Sequence, residues 1–254
     1  MKANLAGLTL VLAAGLGAAV WADTTATPAP TKSSWGGNQL MSGSSAPPIT
    51  ERPATILGPV AGVTPKKGGT LLALKPGSVL YLKGGSTLHD YEMGAKSLQG
   101  SAVLKATAAS LKTDEGILAV LKAGKVEAMA LTVPVTLLKS KESGLDDNAY
   151  KALNAAQFPG IDFVLDSATL SDGKTAGSYV LTAKGSLTIS GVTQPIVLTA
   201  DTTVKNGQIR LKGVQPLKMT DYKVTPPVFN LLVTSIKCTD DIEIHYDVTF
   251  AVTQ

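Results

Sequence analysis

Between Ser178 and Ser190 every second residue, Tyr179, Leu181, Ala183, Gly185, Leu187 and Ile189, lies on one face, with mostly Ser, Thr and Lys on the other. A period of two belongs to a β-strand, whose successive side chains point to opposite faces, so one face here is buried and the other wet. Ile196, Leu198, Ala200 and Val204 repeat the pattern after a Gly191-Val192-Thr193-Gln194-Pro195 turn, and Ile209 with Leu211 continue it after Lys205-Asn206-Gly207. Alternating runs joined by such short turns form a meander of antiparallel strands. Near the C-terminus Ile242, Ile244, Tyr246, Val248, Phe250 and Val252 share a face, opposite Glu243, His245, Asp247 and Thr249. Earlier runs behave alike: Ala102, Leu104 and Ala106; then Met129, Leu131, Val133, Val135 and Leu137; then Ile161, Phe163 and Leu165. The chain reads as all-β. Eight or so strands with one wet face either stack as two sheets or close into a barrel, which removes exposed edges, and periodicity leaves both arrangements open.

One helix interrupts the strands, expected from about Asp147 to Gln157. Asp146 or Asp147 would cap it, Tyr150 and Leu153 would face inward, and Phe158-Pro159 would end it. A shorter helical turn is expected from Ile117 to Lys122.

Ahead of the strands, Met1-Lys2 and the apolar run from Leu5 to Val20 have the form of a secretory signal peptide, with cleavage expected after Ala22. The run falls short of the about 20 apolar residues a bilayer span needs. A periplasmic or secreted protein follows, not integral to the membrane once the leader (residues 1–22) is removed. Residues 23–65 hold half of the fourteen prolines, among Thr, Ser, Ala and Gly. Such a segment buries too little apolar surface to offset its conformational entropy and is expected to be a disordered linker, leaving residues 66–254 as the domain. The formal net charge is +4, but the lysines are scattered singly apart from Lys66-Lys67, so nothing supplies the concentrated positive face that nucleic acid requires. Cys238, the single cysteine, excludes an internal disulfide. It is expected as a small buried side chain; the alternative is an exposed thiol that pairs with another chain. The region around Cys238 and any open strand edge are where a homodimer would form.

Five blocks in order along the chain resemble the YceI-like family. Lys83-Gly84-Gly85-Ser86-Thr87-Leu88-His89-Asp90-Tyr91 looks like the Ser-Thr-Leu-His-Asp-Trp opening strand of one branch. Val133-Pro134-Val135 with Leu138-Lys139-Ser140 is similar to the family's Val-Pro-Val and Leu-Lys-Ser, and Tyr150 to Leu153 with Phe158-Pro159-Gly160-Ile161-Asp162-Phe163 resembles its helix and following strand. Gly185-Ser186-Leu187-Thr188-Ile189-Ser190-Gly191-Val192-Thr193 with Pro195 resembles its hairpin, and Leu217-Lys218-Met219-Thr220-Asp221-Tyr222 with Pro226-Pro227 its Leu-Lys-Met-Thr-Asp-Phe segment. The blocks cover nearly all of residues 78–254. The resemblance implies an eight-stranded antiparallel lipocalin-like barrel with one short helix near an opening and an elongated apolar interior that takes polyisoprenoid or other long-chain amphiphiles. Two departures stand out. Lys223 occupies a place where the family usually has glycine, which questions a left-handed backbone there. Cys238-Thr239 stands where a Val-Gly hairpin is usual, which bears on the rim of the barrel.

The function so implied is non-covalent binding or carriage of a hydrophobic long-chain ligand, such as an isoprenoid, a quinone or a fatty-acid derivative. Tyr179, Leu181, Leu187, Ile189, Tyr246 and Phe250 are expected as cavity wall, with His89, Lys218, Asp221 and Tyr222 near an opening. Gly185 either leaves volume on the inner face or relieves a bend; the first predicts that Gly185→Leu blocks uptake without unfolding. His89-Asp90 could hold a headgroup, a metal or a proton, yet neighbours on a strand face opposite ways, so a structural role is favoured, with His89 bonded to backbone or Asp90 capping a turn. His245 is expected simply to be solvated. Two histidines and one cysteine make no convincing metal set, and no cofactor is implied. Ser171-Asp172-Gly173-Lys174 has the Ser-x-x-Lys spacing but reads as a polar hairpin turn, and with no Gly-x-Ser-x-Gly elbow or phosphate-cradling loop an enzyme is not expected. The rival is a non-enzymatic envelope interaction module with a filled core on a flexible tether. A hollow interior separates the two.

Overall fold

A computed structural model describes residues 63–253, apart from residue 176 and residues 231–234. The expected signal peptide and most of the expected linker lie outside the described residues. Eleven strands are described: β1 (Thr70–Leu74), β2 (Val79–Ser86), β3 (Tyr91–Ala95), β4 (Gln99–Leu104), β5 (Val126–Pro134), β6 (Gly160–Asp172), β7 (Tyr179–Ile189), β8 (Val192–Lys205), β9 (Gln208–Lys218), β10 (Val228–Asn230) and β11 (Ser235–Val252). Two helices, α1 (Asp114–Lys122) and α2 (Ser143–Ala152), join them. The alternation holds where it was cleanest, with Leu181, Ala183, Gly185, Leu187 and Ile189 all buried along β7.

Antiparallel pairing runs β1-β4-β5-β6-β7-β8-β9-β11, and β11 returns to β1, so eight strands close a barrel. The long β11 changes partner on one side: Phe250 to Val252 meet β1, while Cys238 to Asp247 meet β2. β2 and β3 thereby continue the line of β1 and β4 upward as a second storey. Two seams open in that storey. β4 pairs with β5 as far as Gln99 and Thr132; above them β3 meets the chain after β5 only at the Gly94–Lys139 bridge. β8 pairs with β9 from Asp201 and Lys212 down to their hairpin, although β8 begins at Val192 and β9 runs on to Lys218. The upper half is thus two facing four-stranded sheets, β5-β6-β7-β8 and β9-β11-β2-β3. The choice that periodicity left open is answered both ways, a closed barrel below and a split sandwich above.

The lower end is stoppered by α1, a nine-residue helix where the sequence suggested a shorter turn. Thr113 caps it by accepting from the Gly116 N–H at 3.1 Å. Its Ile117, Val120 and Leu121 join Leu72, Leu104 and Phe250 in the main core. Asp114 reaches out from the first turn and accepts from the backbone N–H of Asn206 (3.0 Å) and Gly207 (2.8 Å), which pins the β8–β9 hairpin to the stopper.

α2 covers the first seam: its Leu145 and Ala149, with Leu153 just beyond it, pack on Leu80 and Met93 from one sheet and Val133 from the other. It begins and ends several residues before the expected Asp147 and Gln157. Asp146 is not its cap; its carboxylate accepts from the Ser140 N–H (2.7 Å) and hydroxyl (2.8 Å) and so folds the turn ahead of the helix. The Asn154 backbone, at φ +49°, ends the helical path. Burial pushes the Asp146 carboxyl up, but the two Ser140 bonds and the Lys139 ammonium outweigh it and hold the carboxyl below its ordinary value.

Several expectations are corrected locally. Val63, assigned to the linker, is 6 % exposed and packs with Val103 and Ala130 on the outer wall. Leu137 leaves the inward run because β5 stops at Pro134 and a 3-10 turn over Val135–Leu137 swings its side chain outward. Cys238-Thr239 is no hairpin but part of β11, at a register shift against β2. Lys223 does adopt the left-handed conformation, φ +57°, that glycine would take without strain.

Candidate functional site

Two apolar cavities lie between the facing sheets, a lower one of about 100 Å³ and an upper one of about 90 Å³. Met129, Phe163, Leu187 and Leu198 wall the lower cavity from one sheet, Leu80 and Val248 from the other. Its polar side chains are Gln215 and the Tyr246 hydroxyl. The upper cavity sits below α2 and is bounded by Met93, Leu153, Ile189, Tyr222, Phe229 and Cys238. Leu82, Ile161 and Ile244 belong to both walls and form a neck between them. The interior is therefore not packed solid. Voids lined in this way stay dry, because water would find too few partners.

Three phenols and the one thiol around these spaces are held uncharged. Burial, reinforced by Asp201, pushes the Tyr246 phenol up to about 12. Burial and the neighbouring Cys238 raise Tyr91 further, and burial with Asp221 raises Tyr222. Burial also raises the Cys238 thiol, with the bond from Tyr91 pulling part of the way back. A neutral thiol beside a neutral phenol suits a hydrocarbon environment.

Of the expected wall residues, Leu181, Leu187 and Tyr246 line the lower cavity and Ile189 the upper. Tyr179 and Phe250 line neither. Phe250 is packed into the floor with α1, and Tyr179 lies at the low end of β7 with the Lys122 ammonium 5.0 Å from its ring centre. Strand parity gives the face; an eleven-residue strand carries that face from floor to roof.

The four residues expected near an opening separate. Tyr222 is 3 % exposed and belongs to the upper cavity wall. Lys218 touches the upper cavity but spends its charge on Asp241, 2.6 Å away. Asp221 is exposed, and its carbonyl accepts from Gln194 Nε2 at 3.0 Å. His89 is exposed in a tight loop, its Nδ1 2.8 Å from the Asp90 carbonyl and its N–H donating to Ser86 Oγ, which is a structural role. His89, Lys218 and Asp221 also border a broad polar groove of about 1560 Å³ outside the upper storey. His245 is not simply solvated: it stacks on Tyr81, its cross-strand neighbour, at 4.6 Å and 9°.

Gly185 supplies no empty volume. A β-carbon there would overlap the Val164 carbonyl and lie 2.8 Å from the Phe163 ring, at a register shift between β6 and β7. The ring fills the space the glycine vacates. The Gly185→Leu expectation is thereby overturned, since such a side chain has nowhere to go without moving backbone. Tyr91 over Gly84 and Tyr246 over Gly213 repeat the device. Sequence reasoning did not single out Leu82, Gln215, Ile161 or Ile244 as neck or wall; Ile161 and Ile244 lay on the inward faces, but their height was not legible.

Among the described residues no helix is long and apolar enough to cross a membrane, and no group of three or more His, Cys, Asp or Glu could hold a metal ion. A stoppered antiparallel barrel with dry interior cavities defines a lipocalin-like fold. Residues 89–250 match the YceI-like domain, and the chain belongs to that family. No curated protein matches it. Among solved structures, a polyisoprenoid binding domain from Saccharophagus degradans implicated in plant cell wall breakdown is 10% identical, with a TM-score of 0.51 over 72% of this chain and 98% of that one. BcnA of Burkholderia cenocepacia is 15% identical, TM-score 0.49, over 68% and 95% of the two chains. A Campylobacter jejuni YceI protein is 19% identical, TM-score 0.40, over 61% and 82%.

Proposed function

We propose that this protein is a non-catalytic binder of a long-chain amphiphile, an isoprenoid, quinone or fatty-acid derivative, acting in the periplasm or outside the cell. The observation that carries the reading is the pair of dry cavities separated by the Leu82–Ile161–Ile244 neck. Each methylene of a guest buried there contributes about 0.8 kcal/mol. A longer chain needs the neck side chains to turn and the two upper sheets to part, which the seams permit. The polar end of the guest would rest at the upper cavity, beside Tyr91, Tyr222, Cys238 and Lys218.

Family membership and the ligand class of the Saccharophagus degradans domain guide the choice of probes. Native mass spectrometry of the purified protein, before and after incubation with geranylgeraniol or palmitate, tests the reading. One retained chain per protein is expected. Repeated preparations that stay at the apo mass with both probes would remove it.

A further inference from the structure

We propose that the second seam, between β8 and β9, is a side door through which an apolar chain enters and leaves the cavities; this rests on the binding role above. The seam opens above Asp201 and Lys212, the last backbone pair of the two strands. Each flank carries a proline, Pro195 on β8 and Pro216 on β9. Both stand in register in continuous ladders on their other sides, opposite Ser186 of β7 and Glu243 of β11. Proline has no N–H, and those ladders keep their bonds only if the bare nitrogens turn to the opposite edge, into the seam. Each proline lies an even number of residues from the last pair, as that geometry requires. Each lip therefore lacks one of the donors that ordinary strand pairing across the seam would use.

Two side-chain bonds span the seam among the described residues. At its lower end the Tyr246 hydroxyl passes over Gly213 and donates to the Thr199 carbonyl at 3.0 Å, occupying an acceptor that a β9 amide would otherwise use. At its upper end Gln194 Nε2 donates to the Asp221 carbonyl at 3.0 Å. The opposite seam has a whole helix over it; this one has a single 3-10 turn, Met219–Tyr222, packed on β8 and two hydrogen bonds, each worth only about 1 kcal/mol net.

The surroundings fit an apolar passage. Inside, Ile196, Leu198, Gln215 and Tyr246 flank the seam and line the lower cavity. Outside, Val197 and Val214 stand on the two lips, 51% and 48% exposed. At Thr199 the lips touch, a β-carbon on Gly213 lying only 2.6 Å from its carbonyl oxygen. Above it, from Gln194 to Leu198, the slot extends roughly 13 Å at about 3.3 Å per residue, long enough for a stretch of alkyl chain to enter lengthwise. A hydrocarbon thus meets apolar surface at the lip and again directly behind it.

The test staples the lips. In the full-length Cys238→Ser protein, Val197→Cys and Pro216→Cys are joined by a short bis-maleimide, the product is verified by mass, and stopped-flow fluorescence follows cis-parinaric acid. Stapling should slow association and dissociation alike, by about tenfold or more relative to the unstapled protein, leaving their ratio unchanged. Unchanged rates, or slower association alone, overturn the door, as does failure of the two thiols to be bridged. Absence of equilibrium binding in the wild type would instead remove the binding role on which the door depends.

Discussion

Ile244→Phe probes the neck between the cavities. Ile244 touches both voids, and Leu82 and Ile161 are the other residues shared by their walls. Phenylalanine carries three more side-chain carbons than isoleucine, so it takes the room of about three methylenes at the narrowest point. At about 0.8 kcal/mol each, a chain that must pass the neck loses about 2.4 kcal/mol, about 60-fold in Kd. Displacement of cis-parinaric acid by saturated fatty acids from octanoate to hexadecanoate measures it. In the wild type each added methylene should tighten binding about fourfold. In the variant the short acids should bind as before while the longer ones stop gaining. Equal hexadecanoate affinity in the two proteins, with the β circular dichroism spectrum intact, would refute the reasoning, because a chain would then be binding without passing Ile244.

Three further outcomes concern the frame around the cavities. Lys223→Gly removes a side chain from a left-handed position, a relief of about 1 kcal/mol, and should raise Tm by about 2–4 °C; an unchanged or lower Tm counts against strain there. Gly185→Ala places a methyl group into the Val164 carbonyl and the Phe163 ring and should cost about 2–3 kcal/mol in urea unfolding, so a neutral result would deny the close approach. Asp146→Asn should lower stability by about 1–2 kcal/mol at neutral pH. Because the Asp146 carboxyl is held below its ordinary value, its contribution is full above the usual carboxylate range and fades as pH falls through the lowered value, so the gap in Tm should close in acid. A gap that ignores pH rules out the carboxylate as its source.

The strand faces are legible because one face of each strand is wet: β7, β8, β9 and β11 bury or half-bury the residues that alternate. Height along the barrel was not legible, and so Tyr179 and Phe250 were placed with a cavity they lie beneath. Local rules failed where a side chain serves a distant backbone group. Asp146 resembled a helix cap and instead folds the preceding turn, and Gly185 resembled a gap that a ring from the next strand fills. His245 resembled a solvated residue because its stacking partner, Tyr81, is far away in sequence. The seam does leave a trace in the sequence, since Pro195 and Pro216 interrupt otherwise good strands, but Pro195 follows a glycine turn and reads as part of it, and Pro216 stands alone. Only the paired register shows that both face the same space.

The Asp114 clamp and the buried face of α1 leave the vessel blind at its base. If the protein carries a chain as proposed, that cargo could not be pushed through by a newcomer from below and would have to leave through the upper half. Delivery would then be a first-order event set by the loaded protein alone, indifferent to how much acceptor waits outside.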